Sequence, residues 1–246
     1  MKKILGHLYA FWLLICFALT LILVAIPTAI CQYTMKNEVK KTAAILRWYR
    51  IWMKILMTLV FCRITVKGRA YFQKEQNYIV TVNHNALFDI LVSTPSVPFA
   101  SKTLAKAELA KIPIFGLVYR SGSILVDRKS AKSRANSMKE MKNTLNQGMH
   151  LILYPEGTRN KTSAPLKSFH DGAFSMAIAH QKPIIPALLF NTRKILPPGK
   201  KFFAVPHTVE MHFLPPIPVE GLTSKDVPKL KEKVFKLMTL YYKKTM

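Results

Sequence analysis

Tyr78-Ile79-Val80-Thr81-Val82-Asn83-His84-Asn85-Ala86-Leu87-Phe88-Asp89 decides the fold class. Its first five residues are aromatic or β-branched, which reads as a buried strand, and the polar triplet Asn83-His84-Asn85 ends it. A second run repeats the arrangement: His150-Leu151-Ile152-Leu153-Tyr154 is a strand, and Pro155-Glu156-Gly157-Thr158-Arg159 breaks it. Ser123 to Val126 and Pro183 to Phe190 read as further strands, and Thr208 to Phe213 alternates like a half-exposed one. Helical patterns cover Ser130 to Asn146, which stops at Gln147-Gly148, then Asp171 to His180 and the basic amphipathic stretch Ser224 to Lys244. Strands alternating with helices predict an α/β sheet covered on both faces. Both polar runs then lie just past C-terminal strand ends, where such sheets place ligands. Ile195 to Lys201, with Pro197-Pro198-Gly199, reads as a turn or surface loop.

The N-terminal quarter differs. From Ile4 to Ile30 the chain is almost wholly apolar, and about 20 such residues suffice to span a bilayer's hydrocarbon core. The run is longer than the 7–15 residues typical of a signal-peptide core, and Pro27-Thr28-Ala29 makes a poor cleavage site, so a retained anchor is expected. Thr42 to Phe61 follows as a helix with Arg47, Arg50 and Lys54 on one face and Trp48, Tyr49 and Trp52 among its apolar positions. That pattern suits a helix lying at headgroup level, although an ordinary helix packed on the body shares it. The expected division is residues 1–64 as membrane helices and 65–246 as the body. Lys36, Lys40, Lys41 and Arg47 outnumber Lys2 and Lys3, which places the body on the cytoplasmic side, at the inner membrane if the chain is bacterial.

Composition agrees. The 246 residues carry 37 Lys+Arg against 12 Asp+Glu, a net charge of +25, with half of all residues hydrophobic. Such charge demands a polyanionic neighbour, and the apolar N-terminus favours an anionic membrane surface over nucleic acid. The basic residues are spread along the chain without stacking aromatics between them, so no nucleic-acid partner is expected. Cys16, Cys31 and Cys62 form no disulfide framework and no metal spacing, and no metal or cofactor is expected.

The polar runs suggest chemistry. An imidazole is the natural base near neutral pH, and Asp89 can fix the His84 tautomer and stabilise its positive charge. Five residues apart on one helix the two would diverge by about 140°. His84 must therefore precede a helix whose first turn holds Asp89. Alone, the pair reads more simply as residues capping a helix. No Gly-x-Ser-x-Gly elbow or cysteine accompanies it, which disfavours a covalent acyl-enzyme. Glu156, Gly157, Thr158 and Arg159 offer a guanidinium, a hydroxyl and freed backbone amides, a set suited to a phosphate monoester. Glu156 is expected to orient Arg159 or an acceptor alcohol. A base beside an anion site on a membrane-seeking chain points to chemistry on a phosphorylated lipid.

Together these runs resemble the glycerolipid acyltransferases that act on 1-acyl-sn-glycerol-3-phosphate, over most of the chain after about residue 65. Asn83, His84 and Asp89 match the family's Asn-His-x4-Asp block. Ala105 to Leu109, Ile112 to Gly116, Gly122 and Val126-Asp127-Arg128 are similar to its second. Tyr154 to Arg159, with Phe169 to Phe174, matches its third, and Pro183 to Pro186 its fourth. Two positions depart from the pattern: Ala86 stands where a serine is usual, and His170 where a lysine is common. The resemblance implies a mixed sheet flanked by helices behind an N-terminal pair of membrane helices. It implies transfer of an acyl group from acyl-CoA or acyl carrier protein to the sn-2 hydroxyl of lysophosphatidate, yielding phosphatidate in phospholipid synthesis. His84 is then the general base, Asp89 its partner, and Glu156 to Arg159 the acceptor site, with Lys106 and Arg128 adding charge at the phosphate. Another lysolipid as acceptor, or a non-catalytic basic membrane-binding role, remain the alternatives.

Overall fold

The structure is a computed structural model that describes residues 2–246. Two helices lead, α1 (Lys2–Thr34) and α2 (Glu38–Leu59), the second capped by the Asn37 side chain on the Lys40 amide. Strand β1 (Arg63–Lys67) and β2 (Ile79–Val82) follow, then α3 (Asp89–Ser96), β3 (Ser101–Lys106), α4 (Phe115–Ser121) and β4 (Ser123–Val126). Helix α5 (Ala131–Asn146) starts on the Ser130 cap, and the left-handed Gly148 follows its end. The chain closes with β5 (His150–Leu153), α6 (Gly172–Ala179), β6 (Ile184–Phe190), α7 (Thr192–Ile195), β7 (Thr208–Phe213) and α8 (Val227–Thr245).

The strands form one sheet in the order β1-β7-β6-β2-β5-β3-β4. β6, β2, β5, β3 and β4 are parallel, β7 is antiparallel to β6, and β1 runs parallel to β7. The mixed α/β sheet flanked by helices is the expected class. Residue parity sorts the central strands between two cores. Val80, Val82, Ile152, Ile185 and Leu189 pack with α2 and α3 on one face. Ile79, Leu151, Leu153, Ile184 and Leu188 pack with α5, α6 and α8 on the other. Strands buried on both faces read as continuous apolar runs, which made β2, β5 and β6 visible in the sequence.

Several features differ from expectation, among them β3, which was not recognised as a strand in the sequence. β1, unrecognised in the sequence, runs across the boundary drawn after residue 64. β7 is mostly buried rather than half-exposed, because Val209, Met211 and Phe213 enter one core while Phe190 and Tyr241 of α8 cover His212 on the other face. Arg50 does not join Arg47 and Lys54 facing outward. Its Nε donates to the Pro95 carbonyl at 3.1 Å and its Nη2 to Val97 at 2.9 Å, satisfying carbonyls that the end of α3 leaves unpaired.

Helix α1 is long and apolar enough to cross a membrane, yet it packs along the body. Near its start the Ala204 amide donates to the Gly6 carbonyl. Trp12 donates to Leu59 O at 2.9 Å, and Thr20 accepts from Trp52 Nε1 at 2.9 Å. Further on, Leu21, Val24 and Cys31 join Ile45, Leu46, Tyr49 and Val118 in one cluster. Its outer face exposes Leu8, Leu19, Leu23, Ile26 and Ile30, and α2 exposes Trp48, Ile51, Ile55 and Leu59.

Candidate active site

Five parallel strands deliver their C-terminal ends to one edge of the sheet, and β2 supplies the first functional group. The Asn83 side chain takes over where backbone pairing stops. Its Nδ2 donates to Leu189 O at 3.0 Å, and its Oδ1 accepts the Leu189 amide at 2.6 Å. This side-chain rung lets the backbone leave the sheet without orphaning β6. His84 comes next, and its ring Nδ1 lies 2.8 Å from Asp89 Oδ2.

Asp89 is the first residue of α3 and is fully buried. Its Oδ2 also accepts the backbone amides of Asn85 and Ala86, the latter at 2.8 Å. Two backbone donors and the His84 ring thus converge on one carboxylate oxygen. A carboxylate can only accept, so the network assigns the proton to Nδ1 of His84 and leaves the lone pair on Nε2. Among the described residues Nε2 has no partner. The Tyr154 ring packs 4.5 Å from the imidazole, centroid to centroid, and its hydroxyl lies 2.6 Å from Ser93 Oγ. Burial first, and the Asp89 charge next, push the Tyr154 phenol well above its ordinary range, so it stays neutral beside the base.

The loop after β5 is stitched to this one. The His84 amide donates to Glu156 Oε1 at 2.7 Å, and the His84 carbonyl accepts the Asn160 amide at 2.7 Å. Glu156 Oε2 accepts the Lys167 amide at 2.9 Å. Glu156 is thus fully buried with both oxygens occupied, and it reaches neither Arg159 nor the open site, contrary to expectation. Burial raises its pKa, while the two backbone bonds pull it back down. Gly157 turns the chain with φ +69°, and a Cβ there would lie 2.7 Å from His170 Cδ2. Arg128 donates to the Gly157 carbonyl. It therefore braces the turn. Thr158, exposed, accepts from Lys167 Nζ at 2.9 Å.

Arg159 lines a cavity of about 700 Å³ together with Asn85, Ala86 and Leu87 from the loop carrying His84. Two cations that sequence reasoning passed over, Lys161 and Lys200, line it as well. Lys161 stands two residues after Arg159, a spacing that was available as a signal. Lys200 sits in the Pro197-Pro198-Gly199 segment, whose letters announce a loop without saying that it folds over the site. Lys106 lies at the end of β3, pairs with Glu108 at 3.1 Å, and is absent from the cavity lining. No cluster of three or more potential metal ligands occurs among the described residues.

An imidazole with one unpartnered nitrogen, on a loop that shares a cavity with three cations and an apolar rim, can take a proton from an alcohol whose molecule carries a phosphate. Comparison with known proteins points the same way. Residues 63–189 match the family described as Acyltransferase. The chain is 33% identical over 218 residues to 1-acyl-sn-glycerol-3-phosphate acyltransferase alpha of Mus musculus, covering 88% of this chain and 74% of that one. It is 35% identical over 118 residues to 1-acyl-sn-glycerol-3-phosphate acyltransferase of Helicobacter pylori, covering 48% and 50%. The fold matches the crystal structure of the 1-acyl-sn-glycerophosphate (LPA) acyltransferase from Thermotoga maritima with a TM-score of 0.83 at 22% identity, over 100% of this chain and 98% of that one.

Proposed function

The chain belongs to the acyltransferase family, and from that premise we propose that it acylates the sn-2 hydroxyl of lysophosphatidate to form phosphatidate. The observation that carries the mechanism is the His84 ring, locked through Nδ1 to Asp89 and without a partner at Nε2 among the described residues, on the loop whose next three residues line the Arg159 cavity. The acceptor hydroxyl donates to Nε2. Its oxygen attacks the carbonyl carbon of an acyl thioester as its proton passes to the imidazole. The tetrahedral intermediate collapses with cleavage of the carbon–sulfur bond, and the imidazolium returns the proton to the departing thiolate. Asp89 stabilises the transient imidazolium, and no acyl-enzyme forms. Arg159, with Lys161 and Lys200, neutralises the acceptor's phosphate. The thioester is acyl-CoA or acyl carrier protein.

Membrane attachment follows from α1 and α2. Because α1 touches the body from Gly6 to Cys31, we read the pair as resting in a single leaflet, with the body on the cytoplasmic side, as the basic residues after α1 favour. The test uses purified full chain in detergent, with lysophosphatidate and larger-headgroup lysolipids against both thioesters. Turnover of lysophosphatidate is expected to fall about a thousandfold in His84→Ala, and Arg159→Ala to raise the acceptor KM at least tenfold. Full activity in His84→Ala overturns the mechanism, and a preference for a lysolipid without an exposed phosphate overturns the acceptor.

A further inference from the structure

A second groove, of about 800 Å³, lies between α2, β1 and the end of α3, and it shares no lining residue with the catalytic cavity. Four of its side chains are cations, Arg50, Lys54, Arg63 and Arg69, and none is a carboxylate. None of the four enters a salt bridge among the described residues. Like charges gathered around one opening repel, so this arrangement favours an anion between them.

Two of the arginines, half-buried Arg50 and exposed Arg69, are held in place from behind. Arg50 grips the Pro95 and Val97 carbonyls, and Arg69 Nε donates to Ser96 O at 3.1 Å. Both guanidiniums thus sit on the carbonyl end of α3, which steadies positive charge there. Burial, and then the charge of Arg69, lower the pKa of Arg50. Arg50 Nη1 and both terminal nitrogens of Arg69 have no partner among the described residues. A guanidinium with free nitrogens matches phosphate oxygens in geometry and charge.

Below this basic mouth the floor is apolar, formed by Met53, Met57, Ile64 and Val66. Position around α2 says what fits. At 100° per residue, Trp48, Ile51, Ile55 and Leu59 fall within an arc of about 80°, with Lys54 and Thr58 along one flank. The groove therefore opens beside the exposed apolar stripe of α2. Phe61, the most exposed apolar side chain of the groove, stands at its lip. A soluble phosphate has no use for the floor, whereas a phospholipid uses floor and mouth together.

We propose that this groove seats one anionic glycerophospholipid of the host leaflet, bound and not consumed, with its phosphate between Arg50 and Arg69 and an acyl chain along Met53 and Met57. The site is separate from acyl transfer and fixes how the body sits on the membrane.

Full-length protein in a neutral maltoside detergent, titrated with phosphatidylglycerol or phosphatidylcholine of matched chains and read by native mass spectrometry, tests this. One phosphatidylglycerol is expected to bind saturably, at least tenfold more tightly than phosphatidylcholine. Arg69→Gln, and separately Lys54→Gln with Arg63→Gln, should each weaken it about tenfold. Lys54 and Arg63 make no side-chain bond to the protein among the described residues, so their removal leaves folding untouched. His84→Ala and Arg159→Ala should retain the lipid, which keeps this result independent of the proposed reaction. Equal binding of the two lipids, wild-type binding by the groove variants, or loss of the lipid in Arg159→Ala overturns the proposal. Displacement by glycerol 3-phosphate or by micromolar CoA overturns it as well, the latter by assigning the groove to the acyl donor.

Discussion

Replacing Glu156 by Gln preserves shape and deletes one charge at the join between the two loops. The carboxylate accepts the His84 amide at 2.7 Å and the Lys167 amide at 2.9 Å, out of contact with solvent. A carboxamide can accept from only one of them, and its NH2 must face the other donor. Leaving a buried N–H unpaired costs about 1–3 kcal/mol, and the surviving bond loses its charge assistance, about 1 kcal/mol more. Relief of the burial penalty on the carboxylate, which raises its pKa, offsets part of this. The net loss is roughly 2–3 kcal/mol, a fall in Tm of roughly 5–10 °C for a chain of this size. Because the folded carboxyl titrates above the ordinary glutamate range, the folded chain binds more protons in that window. Stability contributed by Glu156 therefore falls as pH rises through it, and the Gln variant lacks that slope. Where the His84 amide is the one abandoned, the base loses its anchor, and kcat should fall about 10- to 100-fold with the acceptor KM within about twofold. Thermal unfolding and steady-state kinetics on the same preparation decide it. An unchanged Tm with an acceptor KM raised tenfold would show that Glu156 touches the acceptor, and would refute the latch.

Asp89→Asn retains an oxygen for the backbone amides of Asn85 and Ala86 but removes the charge that stabilises the imidazolium. A kcat lower by about a thousandfold is expected, with the acceptor KM within about threefold, measured under saturating thioester. Gly157→Ala places a methyl against His170 at φ +69°. It should cost about 1–2 kcal/mol, and in a double-mutant cycle His170→Ala should recover the steric part of that loss while the dihedral part stays. His150 accepts the Tyr78 amide through Nδ1 at 3.0 Å and is buried, which depresses its pKa to about 4. The unfolded chain then binds the extra proton, so the contribution is fully present above about pH 6.5 and is lost as pH falls toward about 4, roughly 3 kcal/mol in all. His150→Gln, which keeps an acceptor for Tyr78, should flatten the dependence of Tm on pH between those values.

The parts legible in the sequence were those with a local signature. Strands β2, β5 and β6 showed because burial on both faces makes an apolar run, and α5 because a serine and a glycine bracket it. The placement of His84 ahead of α3 followed from helix geometry alone. What escaped notice depended on a distant partner. Arg63-Ile64-Thr65-Val66-Lys67 offers two apolar residues between charges, and only its pairing with β7 makes it a strand. Arg50 lies within about 60° of Arg47 and Lys54 on the helix wheel, and only the end of α3 draws it inward. Glu156 and Arg128 carry the letters of ligands, and burial of one and the carbonyl partner of the other make them supports. The two departures from the family pattern act similarly. Ala86 holds Asp89 through its backbone amide, and the His170 amide donates to Pro155 O while its ring fills the space above Gly157.

The placement of α1 bears on how a lipid reaches the base. Ala10 lines the catalytic cavity, the His7 Nδ1 lies 2.7 Å from Phe202 O, and Phe203 packs so tightly on Gly6 that a Cβ there has no room. Helix α1 is therefore also a wall of the cavity that holds Arg159. Leu87 and Phe202, both exposed, rim the same opening. Drawing a sixteen-carbon chain out of the bilayer costs on the order of 10 kcal/mol at about 0.8 kcal/mol per methylene, more than the cations of the cavity return. Under the proposed reaction, a cavity walled by α1 lowers that cost, because the acyl chain is placed against α1, Leu87 and Phe202 while the headgroup moves to Arg159. The hydroxyl to be acylated lies between chain and phosphate in such a lipid, and His84 immediately precedes Asn85, Ala86 and Leu87, which share the cavity lining with Arg159, Lys161 and Lys200.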